Sequence, residues 1–410
     1  MNRALDRPAR VAGWQEALAR GFIAFLVMAG VALVASVGIV ALTDVPGSFG
    51  IVLRIAGLYL GPFHHIPVVV EGDLDLSEIA GTGAELPSGS STIEVGVALL
   101  AATWLAAWLL FRAGLASAEG RDGGALAAAV SGAFVAPGYA VPVLLVALLV
   151  EIEAPLELGS FVSGEVRLSL SAWPALLVPL VLAALAGAAG GWWAWARSHR
   201  GDRRTGFAAA AIAGGWWAFA LSLLLTYAGL VVAGIAQPGG QVALLTPTTA
   251  RYYQLTFDRP EVGTVVLVHH LAVAPNEALW ALVPTLGGCD DVRARSLVDL
   301  ACFGRAQRDP AGAILGSLPA TGTGGSPTPS RLPPGYLLLV LAPAAATIAG
   351  GRAAAIRAGR RGVPALRVGA ATAIPFAVLV GVGCVLSTIT IGVEAILGSD
   401  PREGVLRIGP

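Results

Sequence analysis

Apolar residues run through this chain in blocks of about twenty, the length a helix needs to cross roughly 30 Å of hydrocarbon. The blocks fall at 21–42, 94–111, 124–150, 173–196, 206–236, 333–350 and 368–397, and each predicts a membrane-spanning helix. A further block, 262–287, is broken by Pro275-Asn276-Glu277 and followed at once by Trp280. A proline, an amide and a carboxylate at bilayer depth are tolerated only where protein or trapped water satisfies them. A shorter stretch, 49–62, carries Arg54 and is too short to span comfortably, so it is expected to lie at the interface or tuck against the bundle.

Composition agrees, with 56% hydrophobic residues, 13% charged residues and a mean hydropathy of +0.75, against about 25% charged in soluble domains. A water-soluble fold is excluded and the lipid bilayer is the first partner. The 26 basic and 26 acidic residues cancel, so net charge suggests no nucleic-acid partner.

The two signs are segregated. Arg3, Arg7, Arg10 and Arg20, then Arg112 and Arg121, then Arg197, Arg200, Arg203 and Arg204, then Arg352, Arg357, Arg360, Arg361 and Arg367 mark cytoplasmic ends. Glu71, Asp73, Asp75, Glu78 and Glu85, and later Glu151, Glu153, Glu157 and Glu165, mark extracytoplasmic connections. The first block reads as an uncleaved span and not a signal peptide. The expected organisation is a cytoplasmic tail, 1–20, and a single transmembrane helical domain, 21–410. That domain has an acidic external loop at about 63–93 and a flexible external loop at about 288–332. A plasma-membrane protein with its N-terminus cytoplasmic and its C-terminus extracytoplasmic follows.

Parity constrains block 262–287. The span ending near Ala236 finishes outside, and 333–350 must begin outside if its basic exit is inside. A single crossing by 262–287 would reverse that, whereas a re-entrant hairpin turning at Pro275-Asn276 preserves it, because proline removes a backbone donor and clashes with the preceding turn. The alternative is one kinked span with an orientation violation. The predicted fold is therefore all-α, a polytopic transmembrane bundle of about seven full spans plus a broken re-entrant hairpin.

In that topology Cys289 and Cys302 fall outside the cytoplasm, where a disulfide closing a loop of about a dozen residues is favoured and stabilises by about 3 kcal/mol. Two reduced thiols are the alternative, and Cys384 is an ordinary apolar residue of the last span. Thr321 to Pro334 is a Gly/Pro/Ser/Thr strap. Small residues recur every four positions at Gly369, Ala373, Ala377 and Gly381, and at Ala183, Gly187 and Gly191, which predicts helix contact faces within the chain or with a partner helix. Trp192, Trp193 and Trp195 suit an interfacial belt, while Trp216 and Trp217 are expected to pack deeper.

Candidate chemistry is sparse. His269-His270 and His64-His65 are adjacent pairs that diverge by about 100° on a helix, and no His/Cys/Asp/Glu set has metal-ligand spacing. Glu277 is a candidate ion or proton site, but a capping acid on a half-helix beginning at Asn276 suits it better. Glu394 is expected to reach the outer interface or to bond Thr390 or Thr388. No phosphate loop, zinc-protease motif, nucleophile elbow or redox Cys pair is present, so neither catalysis nor a cofactor has support.

The order of features resembles the actinobacterial PerM-type cell-division membrane proteins. It runs from Leu53-Arg54-Ile55-Ala56-Gly57-Leu58-Tyr59-Leu60 to Phe63-His64-His65-Ile66-Pro67-Val68, through Trp108-Leu109-Leu110-Phe111-Arg112-Ala113-Gly114, to Leu271-Ala272-Val273-Ala274-Pro275-Asn276-Glu277-Ala278-Leu279-Trp280-Ala281-Leu282. The chain departs from that pattern at Gly287-Gly288-Cys289. The resemblance implies a non-enzymatic membrane protein that supports cell division or envelope integrity by binding and stabilising a single-span divisome protein. A small-solute or ion transporter using Pro275-Asn276-Glu277 is the runner-up, although paired broken helices typify transporters and no second copy of that element is evident. An intramembrane enzyme ranks third.

Overall fold

A computed structural model describes residues 6–42, 48–74, 89–120, 123–157, 163–199, 203–236, 274–276, 278–283, 285–286, 289–294, 297–302, 339–359, 364–397 and 400–409. In chain order the elements are α1 (Asp6–Leu42), α2 (Phe49–His64), β1 (Val68–Leu74), β2 (Gly89–Gly96), α3 (Leu100–Ala118), α4 (Ala125–Ala133) and α5 (Val135–Leu149). There follow β3 (Glu151–Glu157), β4 (Ser163–Leu170), α6 (Ala172–Ser198), α7 (Arg203–Ala236), β5 (Cys289–Ala294) and β6 (Leu297–Cys302). The chain ends with α8 (Leu341–Gly359), α9 (Ala365–Ala371), α10 (Ala373–Ser387), β7 (Ile389–Leu397) and β8 (Asp400–Gly409). Residues 274–276 and 278–283 are also helical. Two compact units result, Met1–Ser198 with Ile389–Leu406, and His199–Thr388 with Arg407–Pro410.

Among the described residues, six helical segments are long and apolar enough to cross a membrane: Gly13–Ala41, Leu100–Ala118, Ala125–Leu149, Ala172–Ser198, Thr205–Gly229 and Ala365–Ser387. The protein is a multi-pass membrane protein with a helical bundle. Block 333–350 departs from expectation: its helix, α8, begins at Leu341 and continues to Gly359, and it carries Arg352 and Arg357 in a Gly/Ala-rich sequence. It is not among the six. The hairpin expected at 262–287 lies largely outside the described residues, which omit 262–273 and Glu277.

The expected helical bundle is borne out, and among the described residues its connections hold eight strands. A window of about 19 residues averages over strands this short, yet the alternation is visible in Val68-Val69-Val70-Glu71 and Thr92-Ile93-Glu94-Val95. In unit 1 the antiparallel order is β3-β4-β1-β2-β7. One cross-strand row reads Glu153, Arg167, Glu71, Thr92, Glu394. The next reads Ile152, Leu168, Val70, Ile93, Val393, so an acidic face backs an apolar one. Block 368–397 is likewise split, because its last third is β-branched and forms β7, which puts Glu394 opposite Thr92 in a sheet and not at a helix end.

Two spans are kinked by the same device. The α4/α5 junction at Phe134 precedes Pro137 by three residues, and the α9/α10 junction at Thr372 precedes Pro375 by three. Each proline lacks the N–H that would bond a carbonyl in the preceding turn, so the ladder breaks there.

The short helix α2 is tucked into unit 1. Ser48 caps its start by accepting the Ile51 N–H at 3.2 Å. It ends at His65, whose left-handed backbone (φ 60°) returns an N–H to the Gly61 carbonyl. Its exposed-end carbonyls are satisfied by the next helix, through the Leu99 N–H to Pro62 O at 2.7 Å and the Thr103 hydroxyl to Phe63 O at 2.8 Å.

Candidate functional site

Four side-chain arrangements stand out from the plain apolar packing. The first is the treatment of the two small-residue stripes. In unit 1, a Cβ placed on Gly187 would collide with Gly132 O and lie 2.7 Å from Val135 Cγ2, and one on Gly190 would meet Phe111 O and sit 2.8 Å from Leu115 N. Helix α6 thus touches α3 and α4 backbone to backbone, and the Ala183/Gly187/Gly191 stripe is consumed inside the chain. In unit 2 the other stripe behaves oppositely. Among the described residues a Cβ on Gly369 or Gly381 meets nothing within 4 Å, and Ala373, Ala377 and Gly381 are exposed.

The second arrangement is the short helix around the predicted break. Pro275 is half-buried and helical, Asn276 and Trp280 are buried, and Leu279 and Leu282 are fully buried. The Trp280 indole N–H donates to the Ser387 carbonyl at 3.3 Å, and a Cβ on Gly383 would lie 2.9 Å from Leu279 Cδ2. This segment is therefore seated against the C-terminal turns of α10. Glu277 and His269-His270 lie outside the described residues.

The third is a pair of hydroxyls one turn apart on α7. Ser222 Oγ and Thr226 Oγ1 are fully buried and have no hydrogen-bond partner among the described residues. Their i, i+4 spacing in an apolar helix was a signal available in the sequence and not taken up there. Trp216 and Trp217, expected inside, are about half exposed, because the buried face of α7 is the Phe219, Ser222, Leu223, Thr226 side.

The fourth is a polar pair in unit 1. His64 is buried, with Nδ1 2.8 Å from Leu60 O and Nε2 2.5 Å from the Tyr139 hydroxyl. A carbonyl can only accept, so Nδ1 carries the proton and Nε2 accepts from Tyr139. Burial pulls the His64 pKa down to about 4, against the opposing effect of the Leu60 carbonyl. No sequence spacing could link residues so far apart, and the pair ties α2 to α5.

The remaining sequence candidates are placed as follows. Cys289 and Cys302 face each other across the β5/β6 ladder, and Cys384 is a free thiol. Arg54 is exposed on α2. Arg167 bridges Glu151 at 2.5 Å and Glu153 at 2.9 Å on the exposed sheet face, where its bond to Glu153 and the nearby Glu151 raise its pKa. Such exposed bridges contribute little. Among the described residues no group of His, Cys, Asp or Glu is arranged to hold a metal ion. No protein-family model matches the chain, and no curated protein or solved structure matches it either.

Proposed function

We propose that this chain is a non-enzymatic integral membrane protein of the plasma membrane that binds and stabilises a membrane partner, in support of cell division or envelope integrity as PerM-type proteins do. The observation that carries the reading is the asymmetry of the two stripes: one is used within the bundle, the other is presented outward. Between apolar helices in lipid, close approach of small residues is the main source of association. An outward face at Ala373, Ala377 and Gly381 suits a helix from another chain.

The topology fits. Strands that follow α2, α5 and α10 share one sheet, and a sheet with exposed acidic rows lies in water on one side of the bilayer. With the basic ends cytoplasmic, that side is extracytoplasmic, α8 is the seventh crossing, and 262–287 enters and leaves from outside. Detergent-resistant co-purification of one membrane protein, lost in Gly381→Leu and Ala377→Leu, tests the reading. Isolation without any partner after cross-linking in native membranes refutes it.

A second reading, movement of a small solute, is favoured by the buried hydroxyls of Ser222 and Thr226. Solute flux in proteoliposomes that persists in the Ser222→Ala/Thr226→Val double variant would discard it.

A further inference from the structure

The described elements repeat one pattern. A long helix, a short proline-bearing helix, a hairpin, a helix, a span kinked three residues before a proline and a second strand pair occur as α1 to β4, and again as α7 to β8. Strand order is β3-β4-β1-β2 in the first copy and β7-β8-β5-β6 in the second. Lengths repeat, with 19 residues in α3 and α8 and 15 in α5 and α10. Register repeats as well: Val69↔Ser169 and Glu71↔Arg167 in the first correspond to Asp291↔Gly409 and Arg293↔Arg407 in the second. In this alignment α2 is the counterpart of the segment around Pro275, with Ala56 and Leu60 at the places of Ala278 and Leu282.

The repeat supplies an internal control on the buried hydroxyls of α7. The buried face of α1 includes Ala17, Gly21, Ala24, Phe25, Met28 and Ala32, and that of α7 includes Ala211, Gly215, Ala218, Phe219, Ser222 and Thr226 at the same spacing. Gly21 and Gly215 both abut the kinked span of their own copy, at Val135 and at Pro375. Of these six pairs the first four keep their residue, and the last two exchange an apolar side chain for a hydroxyl. Met28 and Ala32 fill their places at 0% and 1% exposure, so this packing does not call for polarity. The second copy is polar nearby as well: Ser387 and Thr388 stand where Leu149 and Val150 do, and Trp280 where Leu58 does.

These exchanges gather at one level of unit 2. Helices α7 and α10 run in the same direction, since Gly214 meets Thr372, Gly215 meets Pro375, and a Cβ on Gly383 would lie 3.8 Å from Phe219 Cζ and 2.9 Å from Leu279 Cδ2. Ser222 and Thr226 lie about one and two turns beyond Phe219, and Ser387 about one turn beyond Gly383, toward the same end. Ser387 and Thr388 return their hydroxyls to Cys384 O at 3.2 and 2.8 Å, as Ser117 and Thr372 do to their own preceding turns. Ser222 and Thr226 do not: both oxygens are sealed off and have no partner among the described residues. Two neighbouring hydroxyls that turn from the carbonyls behind them are aimed at a partner from elsewhere. Every buried polar residue described in unit 2 is uncharged, which suits a neutral ligand, because an ion would shed its water there without a countercharge.

We infer that the chain is a tandem duplication whose second copy carries, at Ser222 and Thr226, a binding site for a small uncharged polyol of glycerol size. Side chains one turn apart stand about 5–6 Å from each other, a span one polyol bridges with a hydrogen bond at each end. The apolar side chains of Phe219 and Leu279 at the same place suit its carbon skeleton. The inference rests on the solute-movement reading and specifies the class of solute and the groups that hold it.

The test is entry of glycerol, water and sodium into liposomes bearing the full chain, the first two followed by light scattering and the third by a sodium-sensitive dye. The expected result is glycerol entry above that of protein-free liposomes, falling about tenfold or more in the Ser222→Ala/Thr226→Val double variant, the effect of losing two neutral hydrogen bonds. Thr226→Ser, which keeps the hydroxyl, should keep the entry, and the double variant should unfold in SDS no earlier than the parent. A lowered unfolding midpoint in the double variant, or lost entry in Thr226→Ser, overturns the inference, because the hydroxyls would then serve the chain's own packing. Sodium or water entry that needs the two hydroxyls, with glycerol excluded, overturns the polyol and leaves the solute-movement reading standing. Entry of none of the three, or glycerol entry indifferent to the double variant, removes both.

Discussion

Replacing Gly187 or Gly381 by alanine makes the same chemical change at two glycines of the same small-residue pattern, and the structure assigns opposite outcomes. At Gly187 the new methyl group would collide with Gly132 O and lie 2.7 Å from Val135 Cγ2, and Gly132 in turn has no room because of the Gly187 carbonyl. Backbone cannot rotate away as a side chain can, so α4 and α6 must part. Overpacking of this kind costs about 1–3 kcal/mol, with a backbone obstacle at the upper end. Alanine recovers about 1 kcal/mol of helix propensity over glycine, leaving Gly187→Ala destabilised by about 2 kcal/mol. At Gly381 nothing among the described residues lies within 4 Å of the new methyl, so only the propensity gain of up to about 1 kcal/mol remains. The two variants should differ by about 3 kcal/mol. Unfolding of the purified full chain in mixed micelles, titrated with SDS and followed by fluorescence of its 10 tryptophans, measures this. Equal shifts, or a larger loss at Gly381, would refute the claim that one stripe is closed and the other open.

Other changes probe the buried polar groups. Tyr139→Phe leaves His64 Nε2 without its donor and should cost about 1–3 kcal/mol in the same titration; an unchanged midpoint would remove the pair from the account of how α2 is held. The depressed His64 pKa means the unfolded chain takes up a proton near 6.5 that the folded chain refuses until about 4. Stability should therefore fall as pH drops through that window, and His64→Phe should flatten the dependence. Thr226→Val replaces a buried hydroxyl lacking a described partner with an apolar isostere and should be neutral or stabilising by about 1 kcal/mol; a clear loss would show that the hydroxyl has a partner in the membrane. Direct opposition of Cys289 and Cys302 in an antiparallel ladder puts their Cα atoms within disulfide range. Protein alkylated during lysis should yield tryptic peptides joined through those two residues, and full alkylation of both without reductant would refute the bond.

The helical blocks were legible because span length and apolarity are properties of each segment alone. The tucked position of α2 was legible from its shortness, whereas the kinks before Pro137 and Pro375 were passed over inside plain apolar blocks. The strands were missed because Val68 to Leu74 falls in the stretch assigned to an acidic external loop, while Ile389 to Leu397 is apolar enough to merge with the preceding block in a long window. The last of them was therefore absorbed into a span. Pairing of His64 with Tyr139 and use of the Gly187 face depend on tertiary approach, to which local pattern is blind. The duplication escaped because its copies share register and kinks far more than residue identities: Arg54 stands opposite Asn276, and Tyr139 opposite Ala377.

Parity explains why a helix joins the two copies. On the topology proposed above, each copy crosses the bilayer an odd number of times: out with α1 or α7, in with α3 or α8, out with the kinked span. It therefore ends on the side opposite its start. Two such copies in the same orientation cannot be joined by a loop, since the basic start of α7 must lie inside while β4 finishes outside. One further crossing is obligatory, and α6 supplies it. Having been added for connectivity, α6 also covers the α5 face of the first copy, where Gly132, Val135 and Gly187 record the fit. The corresponding face of the second copy, at Ala373, Ala377 and Gly381, is exposed among the described residues.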